Sequence, residues 1–156
     1  MITSRAKLVF ILAILLSACK EDDSDFSQTL DIHTFTIESP PGWVLKEGMG
    51  FDSYVGVIEG PAGTIHYDQG LFSFPGLDKI VETDQTIYLR HMTVNGSPAV
   101  LRKERLPETN TDADVRLSLY IEAEDPWHRN HLYVNDPTPF GESILIEIMK
   151  THRFKE

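Results

Sequence analysis

The chain has 156 residues, with 24 Asp and Glu against 14 Lys and Arg, a formal charge of −10 and one cysteine. Nucleic-acid binding rests on clustered cations that release counterions. The longest basic cluster here is "RKER" at 102–105, interrupted by Glu104, so a phosphate-backbone partner is not expected. One cysteine leaves none for an internal disulfide, and stability must come from a buried core.

The first element is a leader. Arg5 and Lys7 form a short positive region, Leu8 to Leu16 are all apolar, and Ser17-Ala18 place small side chains before Cys19. This is the layout of a secretory signal peptide over residues 1–18. The apolar run falls well short of the about 20 residues that span a bilayer. Leu16-Ser17-Ala18-Cys19 resembles the bacterial lipobox. A thiolate is a far better nucleophile than a hydroxyl near neutral pH, which suits Cys19 to accept a diacylglyceryl group. Two or three acyl chains anchor a protein stably where one does not. The expectation is a lipoprotein acylated at Cys19, held in the outer membrane and facing either the periplasm or the exterior.

Residues 19–29 are expected to form an acidic tether. "KEDDSD" at 20–25 lacks large apolar residues and cannot offset the entropy of ordering. It resembles the acidic export signal of Bacteroidota surface lipoproteins, and a plain solvated spacer is the alternative. Loss of residues 1–18 removes Arg5 and Lys7 and deepens the formal charge to −12. Residues 30–156 fit one domain of ordinary size.

Within that domain, "DIHTFTIESPPGW" (31–43) reads as a strand closed by the Pro40-Pro41-Gly42 turn. Residues 53–74 read as two strands joined through Gly60-Pro61-Ala62-Gly63. Asn95-Gly96 lies between two β-prone runs in 86–106, and that pair suits a type I′ hairpin turn, whose central residues both need positive φ. In 114–124, Val115, Leu117, Leu119, Ile121 and Ala123 alternate with polar neighbours as a strand; 131–135 is a shorter one. From Thr138 to Thr151 the period changes, and Ile144, Leu145, Ile148 and Met149 make one helical stripe. Antiparallel hairpins closed by a C-terminal helix define an α+β domain.

The runs "FTIESPPGWVLKEGMGFDSYVGVIEG", "TIHYDQGLFS", "VNGSPAVL" and a last helix ending in "THRFK" resemble the PsbP-like fold, an antiparallel sheet sandwiched by helices. Residues 35–155 are also similar to Bacteroidota lipoproteins carrying a Gly-Phe/Ile-Asp-Ser-Tyr-Val-Gly motif, here Gly50 to Gly56, followed by Asp-x-Gly, here Asp68 to Gly70. The resemblance implies a binding or assembly module and no shared catalytic residues.

Within residues 30–156, Gly-x-Ser-x-Gly and Ser-x-x-Lys do not occur, so no signature of a serine nucleophile is present. The glycines of "GMGFDS" (48–53) read as turn residues, since no βαβ unit surrounds them. Glu122, Glu124, Asp125, His128 and His131 are of ligand type for zinc or a harder cation, although a solvated turn after Pro126 is the favoured reading. His66 and Asp68 share a strand face and form a possible polar dyad. Tyr54, Tyr67, Phe72, Phe74 and Tyr120 are either core or a ligand-stacking set. The expectation is a non-catalytic module with no cofactor, no assigned catalytic or metal residue, and other envelope proteins as partners. A metal-assisted extracytoplasmic hydrolase using the 122–131 segment is the alternative.

Overall fold

A computed structural model describes residues 25–107, 113–125 and 128–155. Cys19 and the leader lie outside the described residues.

Among the described residues, ten strands form two antiparallel sheets. The smaller contains β1 (Gln28–Ile32), β2 (Phe35–Ser39) and β10 (Arg153–Phe154), with β2 in the middle. The larger is built from β3 (Val44–Met49), β4 (Tyr54–Gly60), β5 (Gly63–Gln69), β6 (Thr86–Val94), β7 (Ser97–Arg105), β8 (Val115–Glu122) and β9 (Arg129–Asn135). Its order is β3-β4-β5-β9-β8-β7-β6, so the late strand β9 inserts between β5 and β8. Among the described residues one α-helix, α1 (Gly141–Lys150), precedes β10, and a 3-10 turn (Leu77–Lys79) precedes β6. The coarse expectation of a single α+β domain with a C-terminal helix agrees with this arrangement.

The main core lies between one face of the large sheet and a cover made by the small sheet and α1. Leu30, Ile32, Phe35 and Ile37 from β1 and β2, and Leu145, Ile148 and Met149 from α1, pack against Ile58, Ile65, Leu117, Leu119, Ile121 and Leu132. At about 25 cal/mol per Å² of apolar surface removed from water, this burial is the main stabilising contribution. Ile144, the fourth residue of the expected stripe, is only partly buried beside the cluster. On the opposite face, the segment after Gly70 folds over β6 to β8 and closes a second cluster of Phe74, Ile80, Val100 and Tyr120. Val100 and Tyr120 are therefore buried although they alternate with core-face residues.

Turn chemistry acts as the sequence indicates at Asn95-Gly96, where φ is 47° and 91° and β6 leads directly into β7. The β4–β5 hairpin closes at Gly60–Gly63. Residues 31–43 differ from the one-strand reading, because they hold the end of β1, a His33-Thr34 turn and all of β2. That turn lacks Gly, Pro and Asn and is held from a distance. Lys155 donates through its ammonium to the His33 carbonyl and through its backbone N–H to the Thr34 carbonyl, and the Gln69 amide donates to Thr34 Oγ1. Helix α1 begins at Gly141 rather than Thr138. Thr138 still caps it, with Oγ1 accepting from Gly141 N at 3.0 Å and its carbonyl accepting from Glu142 N at 2.9 Å.

Candidate functional site

The face of the large sheet turned away from the small sheet is covered over β6 to β8 by the segment after Gly70 and is otherwise open. Strands alternate their side chains between faces, so the registers β4–β5, β5–β9 and β8–β9 decide what stands on it. Asp68 is opposite His131, which is opposite Tyr120; His66 is opposite Tyr133, which is opposite Ser118; and Asn135 is opposite Arg116.

These pairings make a ladder of rings across three strands. His66 and Tyr133 stack with centroids 4.9 Å apart and planes 11° apart. Tyr133 is 5.0 Å from His131, which stacks on Tyr120 at 4.4 Å and 11°. Tyr120 continues edge-on into Phe74 at 5.4 Å. The Arg116 guanidinium carbon lies 4.6 Å from the Tyr133 centroid, and Arg116 Nε donates to Asn135 Oδ1 at 2.9 Å. Such ring and cation–π contacts are worth about 0.5–1.5 kcal/mol each beyond the area they bury.

His131 Nε2 and Ser118 Oγ are 3.0 Å apart. Burial, aided by the charge of Arg116, pushes the His131 imidazole down to about 3. The same two causes, burial first, lower His66. Both rings are therefore neutral at pH 7 and act as hydrogen-bonding edges. Ser118 is fully buried, so its hydroxyl is closed to a substrate. A serine sealed under the sheet surface beside a weakly basic imidazole lacks what nucleophilic catalysis needs, an accessible oxygen with a competent base.

The charges at strand positions of this face fall into pairs with two exceptions. Lys46 meets Glu59 at 2.6 Å, Arg102 meets Glu104 at 2.6 Å and Arg129 meets Glu122 at 2.7 Å. Arg116 and Asp68 form no ion pair among the described residues, and Asp68 Oδ1 is buried without a hydrogen-bond partner. Two strand spacings and four residues separate them, about 16 Å between Cα positions, so they do not neutralise each other.

The expected dyad of His66 and Asp68 does share this face, and sequence order hides that β9 adds His131 and Tyr133 to it. The 122–131 residues do not converge. Glu122 is paired with Arg129, His128 lies 3.4 Å from Asp125, and His131 belongs to the ladder. Among the described residues no group of three or more His, Cys, Asp or Glu side chains could hold a metal ion. The five aromatics also part company. Tyr67 is in the main core, Phe74 and Tyr120 are in the second cluster, and Tyr54 stacks on His33 at 3.8 Å. Phe72 is 72 % exposed and follows Gly70, whose backbone lies against Asp52 and Ser53 of the loop between β3 and β4.

Among the described residues no helix is long and apolar enough to cross a membrane. No protein-family model, no curated protein sequence and no solved structure matches the chain.

Proposed function

We propose that this chain is a lipoprotein of the outer membrane, acylated at Cys19, that works outside the cytoplasm as a non-catalytic binding or assembly module of the cell envelope. Its domain is read as PsbP-like, and its recognition surface as the open face of the large sheet. The observation that carries binding over hydrolysis is the burial of Ser118 beneath the surface that presents His66, Tyr133 and Arg116. The leader supports the anchor, since positive region, apolar run and Leu16-Ser17-Ala18-Cys19 stand in register. The acidic residues 21–25 favour the outside of the cell.

Intact-mass spectrometry of the membrane-extracted protein tests the anchor. The expected mass is that of a chain starting at Cys19 and carrying acyl chains; a Cys19→Ser product with the same mass and membrane partition overturns it. A photo-crosslinking residue at position 57, beside His66 on the same face, tests the surface in intact cells. Adducts at 57 and none at Phe140, which is exposed elsewhere, support the open face; absence of adducts at 57 refutes it. Protease added to intact cells separates the two orientations, with cleavage expected for a surface-exposed domain.

A further inference from the structure

We propose that Arg116 forms an oxyanion-binding subsite on the open face, and that its ligand is an acidic polysaccharide bearing carboxylate or sulfate groups; this rests on the reading of that face as the recognition surface. Arg102 and Arg116 flank a single carboxylate, Glu104, which stands opposite Arg116 in register and closes on Arg102 at 2.6 Å. One positive charge is thus left over on a protein that is otherwise strongly acidic. Arg116 is held in place for use. Its Nε is taken by Asn135 and its plane is carried by Tyr133, which leaves the terminal nitrogens as a fork that matches two oxygens of a carboxylate or sulfate. Holding the guanidinium in advance lowers the entropy lost on binding.

The surroundings select a sugar chain over a peptide. Strands β5, β9 and β8 are interior to the sheet, so their main-chain groups are consumed by neighbours and offer none of the backbone hydrogen bonds that extended peptides use. What the face presents beside Arg116 is side-chain polarity on two neighbouring rungs: Asn135 directly opposite Arg116, the neutral His66 ring edge and the Tyr133 hydroxyl one rung on, and Thr64 two residues before His66 on β5. These donors and acceptors suit a row of sugar hydroxyls. The rings are stacked on one another, so their faces are occupied and their edges do the recognising.

Calorimetric titration of the mature protein in detergent decides the matter, with oligogalacturonate, chondroitin sulfate and dextran as the probes. Binding of the carboxylated or the sulfated chain, and not of dextran, is expected. Arg116→Gln is expected to weaken it about tenfold and, through loss of the contacts with Tyr133 and Asn135, to lower the melting temperature by only about 2–8 °C, leaving the domain folded at the temperature of the titration; Arg116→Lys, which keeps the charge and loses the fork, is expected to retain part of the binding. Failure of both acidic chains to bind, equal binding by Arg116→Gln, or equal binding of poly-glutamate overturns the proposal. Adducts at position 57 together with any of those failures would remove the polysaccharide and leave the open face as the recognition surface.

Discussion

The indole of Trp43 lies flat against Gly60, so close that a Cβ on Gly60 would overlap the ring. Trp43 is 3 % exposed and belongs to the main core, and Gly60 ends β4 at the hairpin into β5. The missing side chain therefore admits the largest residue of the core at the edge where the two sheets meet.

Gly60→Ala is expected to destabilise the domain by about 1–3 kcal/mol through overpacking. Urea titration followed by tryptophan fluorescence reads both the midpoint and the displaced indole. An unchanged midpoint and spectrum would show that Trp43 has room to move.

Ile148→Ala is expected to cost about 2–5 kcal/mol, because Ile148 is fully buried between α1 and the sheets and its loss leaves a cavity. A thermal melt that matches wild type would mean that α1 does not close the core.

Glu142, in the first turn of α1, joins the helix to the sheet. Burial alone would raise its carboxyl, yet hydrogen bonds from Lys103 at 2.5 Å and Tyr88 at 2.9 Å, with the Lys103 charge, bring it below its ordinary value. Its contribution is present above the unfolded carboxylate value and is lost as pH falls through the lowered one. A Glu142→Gln variant is expected to lose about 1–3 kcal/mol at pH 7. The deficit should shrink toward pH 3 in parallel chemical denaturations; a deficit independent of pH would contradict it.

His152 is fully buried, stacked on Phe35 at 4.8 Å and bonded through Nε2 to Asn130 Nδ2 at 2.9 Å. Burial pushes it down to about 3, against 6.5 for a free imidazole. Between those values the unfolded chain takes up a proton that the folded one refuses, so stability falls as pH drops through that window. His152→Leu is expected to be less stable at pH 7, because Asn130 loses its partner, and to show a shallower decline from pH 6.5 to 4. Equal slopes for the two proteins would show that His152 is not the titrating group.

Phe51 and Phe72 are largely exposed, so Phe51→Ser with Phe72→Ser is expected to change stability by no more than about 0.5 kcal/mol each. A large loss in differential scanning calorimetry would reveal packing of these rings in solution.

Much of this architecture is local and hence readable from the chain. Asn95-Gly96 and Gly60 to Gly63 turn where their backbone freedom allows, and Val115, Leu117, Leu119 and Ile121 alternate as β8 does. Two features escaped because their causes are distant. "VLKEGM" carries two charges and a glycine and has no strand signature, yet it pairs along its whole length with β4. The His33-Thr34 turn is fixed by Lys155 and Gln69, far along the chain. The candidate site divides the same way. That His66 and Asp68 share a face follows from spacing, whereas the ladder to Tyr133, His131 and Tyr120 exists only because β9 enters between β5 and β8, an ordering that no local pattern encodes.

Edge strand β3 has a further consequence, for how two copies of the molecule can meet. Two copies that join edges about a two-fold axis preserve their faces, so opposed residue numbers must add to an even total. The two longest allowed overlaps of 44–49 then place Lys46 on Lys46 or Glu47 on Glu47, and like charges directly opposite are destabilising. The far edge, β6, carries a bulge beside Ile87 and sets Arg90 at its centre. Both margins thus work against the edge-to-edge pairing from which a wide, open-ended sheet could grow into a fibre.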